Sequence, residues 1–151
     1  MSFPRAIDAD APVIAHHTID IQAPLEVVWN LHVDVTGWTG WNSDMTSARL
    51  DDPFAPGSTF DWESYGFPVT STIYVVEPRH RILWGGVAAG ITGVHEWLFS
   101  NTERGVRVET SESFAGAPVV NDVAAMTSML DTSLDAWLKQ LKGTSEQRAA
   151  M

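Results

Sequence analysis

Between Pro118 and Lys142 the apolar residues recur at three- and four-residue steps, as Val119, Val123, Met126, Leu130, Leu134, Trp137 and Leu141. On an α-helix these fall on one stripe, while Asp131, Asp135, Lys139 and Lys142 fall on the opposite face. Gly116-Ala117-Pro118 puts proline in a first turn, Asp122 lies near the positive helix end, and Lys142-Gly143 supplies a C-cap. The spacing therefore predicts one long helix over residues 118–142, greasy on one side and in need of a large apolar partner.

Upstream of residue 115 that partner is spelled out in a period of two. Val13 to Gln22 alternates, is rich in β-branched residues and ends at Ala23-Pro24, which predicts a first strand. Pro24 to Leu31, with Glu26 in its first turn, predicts a short helix. Thr36 to Asp44 has no clear period and reads as a tryptophan-rich loop with room for another turn or two of helix. Alternating segments follow at Met45 to Leu50, Ser58 to Tyr65, Val69 to Glu77, Arg81 to Val87, Ile91 to Asn101 and Val106 to Phe114. Turn residues such as Pro56-Gly57, Gly66-Phe67-Pro68, Ala89-Gly90 and Arg104-Gly105 separate them. Connections this short pair sequential strands antiparallel, because a parallel crossover needs about a dozen linking residues or more. With the first strand included, the expectation is an α+β domain in which a seven-stranded antiparallel sheet curls around the long C-terminal helix. Space left between helix and sheet is where such a fold keeps a ligand.

Composition narrows the partners. The 151 residues make one domain's worth of core, read here as an N-terminal extension (1–12), the domain (13–142) and a frayed tail (143–151). A formal net charge of -10 argues against nucleic acid or an anionic membrane surface and for an uncharged or cationic small molecule. The chain has no cysteine, no apolar run long enough to span a bilayer and no secretory pattern over Met1 to Pro12, so a cytoplasmic protein, monomer or homodimer, is expected. Seven tryptophans are many for this length and hint at a wide core or a lined pocket.

The order of elements resembles the helix-grip fold of the START/Bet v 1-like (SRPBCC) superfamily, and the sequence is similar to its polyketide cyclase/dehydrase family. The resemblance rests on Ala23-Pro24-Leu25-Glu26-Val27-Val28-Trp29, Trp38-Thr39-Gly40-Trp41-Asn42 and Pro56-Gly57-Ser58-Thr59-Phe60-Asp61-Trp62. It continues in Val76-Glu77-Pro78, Leu83-Trp84-Gly85, His95-Glu96-Trp97 and the run from Gly105 to Gly116. It implies a cyclase, aromatase or dehydratase acting on a polyketide-derived or aromatic molecule without a metal or nucleotide cofactor; a non-catalytic carrier of a hydrophobic small molecule is the alternative. The family brings no short catalytic signature, so candidate residues rest on their own chemistry.

His95-Glu96 lacks the second histidine of H-E-x-x-H and sits in a strand pattern, and His16-His17 are strand neighbours that point apart, so no metal site is expected. His95 shares parity with Trp97 and Phe99; as a functional residue it moves a proton or bonds a ligand, and as a structural one it bonds a neighbouring element. Glu112 shares parity with Val106, Val108, Thr110 and Phe114, which carries a carboxylate inward as a candidate acid or base. The competing reading makes it a rim residue paired with Arg107 or Arg104. His95 and Glu112 lie at nearly the same height on adjacent strands and are the expected catalytic pair. Trp41, Phe60, Trp62, Tyr74, Trp84, Trp97, Phe99, Met126, Met129 and Leu130 are the expected apolar lining, with Trp38 beside them and with Ser71 and Ser133 as hydroxyls. Asn42 and Asp44 are placed near the mouth, and Trp29 and Trp137 are assigned to packing.

Overall fold

The computed structural model describes residues 2–151. Strand β1 (Val13–Ile21) leads into α1 (Leu25–Val33) and a short 3-10 helix (Val35–Gly40). There follow β2 (Met45–Arg49), β3 (Thr59–Ser64), β4 (Phe67–Glu77), β5 (Arg81–Ala88), β6 (Ile91–Asn101) and β7 (Val106–Ala115). Two helices close the chain, α2 (Ala117–Asn121) and α3 (Val123–Ala149). The seven strands form one antiparallel sheet in the order β1-β7-β6-β5-β4-β3-β2, so the first strand adds to the last and α1 with the 3-10 helix carries the chain across to the far edge. This is the helix-grip arrangement, with the sheet curled around α3.

Two of the sequence expectations about the long helix are corrected. Asp122 breaks it near its start: its backbone leaves helical geometry and its Oδ1 accepts from the Ala125 N–H at 3.1 Å, capping α3. Val123, at the first position of α3, is exposed, while Val119 ahead of the break and Leu130, Leu134, Trp137 and Leu141 beyond it are buried. At the other end the helix does not stop at Gly143, and the expected frayed tail is helical to Ala149. Gly143 disfavours a helix interior by about 1 kcal/mol, but tertiary contacts outweigh that. Ser145 is fully buried, Lys142 Nζ donates to Asp20 O at 2.8 Å and to Glu146 Oε2 at 2.7 Å, and Gln22 N–H donates to the same carboxylate at 2.8 Å.

The strands follow the period-two reading with small shifts. Gly66-Phe67-Pro68, expected as a turn, is tighter: Tyr65 and Gly66 alone turn the chain, both with positive φ (53° and 81°), and Phe67 already belongs to β4. The β4–β5 register slips between Ile73 and Val75, a bulge centred on Tyr74. The N-terminal residues lie along the sheet's outer face, where Phe3 packs on Tyr74, Arg81 Nη2 donates to Arg5 O and Asp8 N–H donates to Ser113 Oγ.

Buried apolar side chains form two clusters. The larger, under α1 and the 3-10 helix, holds Trp38, Trp84, Trp97, Phe99, Trp137 and their neighbours. The smaller joins Val13, Ala15, Val119, Leu130 and Leu134.

Candidate functional site

A cavity of about 190 Å³ takes one wall from each cluster: Trp62, Trp84 and Trp137 on one side, Ile91, Phe114 and Leu130 on the other. Exposed Tyr65, Phe67 and Met129 stand at its mouth, where the phenol of Tyr65 donates to Asp44 Oδ2 at 2.9 Å. Glycines open it. A Cβ on Gly86 would lie 2.5 Å from Thr70 O, so only glycine lets β5 approach β4 this closely. A Cβ on Gly93 would instead enter the space beside Glu112 Oε2 (3.5 Å) and the Phe114 ring (3.4 Å), space the cavity now occupies.

Glu112 is the acidic side chain at this wall. The β6–β7 register runs unbroken from Thr92↔Ala115 to Asn101↔Val106, so the alternation that buries Val106, Val108 and Thr110 also turns Glu112 inward. Its side chain keeps 12% exposure, which opens into the cavity, and burial pushes its carboxyl up to about 8. Arg107, the rim partner considered for it, bonds Asp20 at 2.9 Å instead. His95 is its cross-strand partner, with Nδ1 3.4 Å from Glu112 Oε1. That separation is long and poorly aligned for a hydrogen bond, yet Nδ1 has no other partner among the described residues. On its far side His95 Nε2 lies 2.6 Å from Thr110 Oγ1, and the threonine hydroxyl donates to Glu96 O at 2.9 Å. Burial, with His32 nearby, holds the imidazole well below its ordinary pKa, so the neutral form sits between the carboxyl and Thr110.

The remaining expected site residues divide. Trp62, Ser71, Trp84, Met126, Met129 and Leu130 stand at the cavity, as does Ser133; Ser71 Oγ accepts from Trp62 Nε1 at 3.0 Å. Trp137, assigned from sequence to packing, both packs and lines the cavity, because α3 crosses the boundary between the two clusters. Trp41, Phe60, Trp97 and Phe99 face inward but lie in the closed cluster, where the 3-10 helix fills the sheet's concavity with Trp38. His95 is behind the cavity wall, 1% exposed. Tyr74 is on the opposite side of the sheet, since Ser71 and Ile73 take the inner face and alternation turns Tyr74 outward onto Phe3. Asn42 is a buried turn residue whose Oδ1 accepts from Asp44 N–H and Gln140 Nε2.

Sequence reasoning missed His32. It is fully buried on α1, its ring 4.2 Å from that of Trp97, with both ring nitrogens lacking a hydrogen-bond partner among the described residues, and burial lowers its pKa to about 3. It also missed the glycine wall, although paired glycines at Gly86 and Gly93 inside two strands are a readable sign of close approach.

Residues 12–146 match the family described as polyketide cyclase / dehydrase and lipid transport. The chain belongs to this family. Solved structures similar to this polyketide cyclase-family chain include a hypothetical protein of Helicobacter pylori, with 19% identity over 96% of this chain and 99% of that one and a TM-score of 0.80. A START superfamily protein of Mycobacterium smegmatis matches at 11% identity over 89% and 97%, TM-score 0.73. The Zhui aromatase/cyclase of a Streptomyces species matches at 16% identity over 89% and 94%, TM-score 0.77. At these identities the likeness establishes the fold. Among the described residues, no helix of the family member is long and apolar enough to cross a membrane.

Proposed function

We propose that this chain binds an apolar, ring-containing small molecule between α3 and the sheet and exchanges a proton with it through Glu112, in the manner of a cyclase, aromatase or dehydratase. The observation that carries this reading is one carboxyl, shifted to about 8, at the inner end of a mostly apolar cavity. A group with that pKa is mostly the neutral acid at pH 7, with about one-tenth present as carboxylate, so the acid and the base form are both within reach near the working pH. In a dehydration, Glu112 takes the proton from the carbon next to a carbonyl. The C–H electron pair forms the new double bond as the neighbouring C–O bond breaks, and the proton leaves with the hydroxide as water. His95 is a positioning residue here: its Nδ1 stands 3.4 Å behind Oε1 and leaves Oε2 toward the ligand. Family membership and the aromatase/cyclase among similar structures support the chemistry class.

The test is turnover of a β-hydroxyketone bearing an aromatic ring, followed as loss of water, in the wild type and in Glu112→Gln. Loss of turnover with retained binding supports the reading. Unchanged turnover in the variant removes Glu112 from the reaction, and binding without turnover in both proteins leaves the chain a carrier.

A further inference from the structure

We infer that the cavity selects ligands that present a hydrogen-bond donor, a hydroxyl or an N–H, at their buried end, and discriminates against ligands that end there in an ether or ketone oxygen. The inference rests on the cavity being the ligand site and does not need turnover.

It follows from counting protons along the chain Glu96 O, Thr110, His95, Glu112. A hydroxyl has one proton, and Thr110 places it on Glu96 O at 2.9 Å. Its oxygen, 2.6 Å from His95 Nε2, can then only accept, so Nε2 carries a proton. In a neutral imidazole the lone pair is then on Nδ1, which faces Glu112 Oε1 at 3.4 Å. At 3.4 Å the two do not form an aligned hydrogen bond, yet they are close enough to favour a proton on Oε1, since the opposite arrangement sets two lone pairs against each other in a buried site. With the acid proton on Oε1, Oε2 is a carbonyl-type acceptor. If the proton moves across to Nδ1, the carboxylate is an acceptor at both oxygens. Either way the oxygen over Gly93, which makes no hydrogen bond among the described residues, asks for a donor. Apolar walls at Trp84, Phe114 and Leu130 leave a carbonyl placed against Oε2 without a partner. The substrate class this assigns is an aromatic or alicyclic alcohol, enol or phenol. Within the proposed chemistry, that is the hydroxyl-bearing stage before loss of water.

Glutamine at 112 makes a sharp control. Its amide N–H can face His95 Nδ1 while its oxygen faces the cavity, which keeps the same polarity but cannot exchange a proton.

The experiment is calorimetric titration with 2-naphthol, naphthalene and 2-methoxynaphthalene, the last two bracketing naphthol in size. One hydrogen bond to a buried acid group predicts that naphthol binds about 10-fold more tightly than either, in the wild type and in Glu112→Gln. Glu112→Leu, close in shape, brings naphthol to within about threefold of methoxynaphthalene by removing that bond. Gly93→Ala, whose added methyl meets ordinary contacts, does the same by covering Oε2 and serves if the leucine variant does not fold. Equal binding of naphthol and methoxynaphthalene by the wild type, or a naphthol preference that survives both Glu112→Leu and Gly93→Ala, overturns the polarity inference alone. If none of the three probes binds, the cavity reading falls and takes this inference with it.

Discussion

The two ends of the interior are built from similar residues and come out differently. Under α1 and the 3-10 helix, Trp38, Trp97, Phe99 and His32 interlock at ring separations of 4.2–5.8 Å and leave no room. Along α3, Trp62, Trp84 and Trp137 are just as bulky, but the sheet next to Trp84 carries Gly86 and its cross-strand partner Gly93 in place of side chains, and the cavity lies between these tryptophans and Phe114 and Leu130. Both ends bury a titratable group. In the closed end the His32 ring nitrogens have no hydrogen-bond partner among the described residues and no access, which is a cost to the fold. In the open end Glu112 has His95 behind it and a cavity in front, which makes the same kind of cost usable. Aromatic content alone does not leave a cavity; glycine beside the aromatics does.

The largest effect expected from breaking this contrast is on turnover. Glu112→Gln should slow proton transfer by about 10²–10⁴-fold while changing ligand affinity little, as read by separate measurements of binding and rate. The same variant should respond differently to pH. Between the ordinary carboxyl value and about 8 the folded wild type holds a proton that the unfolded chain has lost, so its stability falls as pH rises through that window. Glu112→Gln should not show that fall in denaturant titrations at pH 5 and pH 8.

Next in size is a truncation in the smaller cluster. Leu134 is completely buried beside Leu130, and Leu134→Ala should cost about 2–5 kcal/mol in urea unfolding, with the spread set by how far the neighbouring cavity lets the site relax. His32→Phe probes the closed end and has the opposite sign. Folded His32 stays neutral down to about 3 while the unfolded chain takes up a proton near 6.5, so wild-type stability declines as pH falls below 6.5. Removing the unpaired imidazole should stabilise the protein, by about 2 kcal/mol more at pH 5 than at pH 7.5. Met129→Ala, at the mouth, should be the mildest: stability within about 0.5 kcal/mol and naphthol affinity a few-fold weaker.

Period and parity carried most of the fold. The alternation in β7 placed Glu112 inward because no bulge interrupts that strand, and the equal heights of His95 and Glu112 followed from one hairpin turn. Tyr74 went astray although parity was enough to place it: three residues from Ser71 on one strand, the two side chains take opposite faces. The helix ends were misread where tertiary bonds decided: Asp122 caps a second helix, and Glu146 ties the last turns to β1 past a glycine that reads as a stop. Phe60, Trp97 and Phe99 were assigned to the right face and the wrong end, because parity says which side of a sheet a residue takes and nothing about what fills the space opposite; Trp41, in the loop after the 3-10 helix, had no parity to place it. His32 was invisible for the same reason. A lone histidine at the end of a short helix carries no pattern.

The claim most exposed to test is that Glu112 sits at the cavity as a neutral acid at physiological pH. Carbon-13 NMR of the side-chain carboxyls, with Glu112 assigned by comparison with Glu112→Gln and followed from pH 4 to pH 9, reads this directly. One carboxyl resonance should remain in its protonated position at pH 6.5, titrate with a midpoint near 8 and move when 2-naphthol is added. A midpoint close to the ordinary 4.5 would show a solvated carboxylate and contradict both the desolvated site and the proton exchange assigned to it.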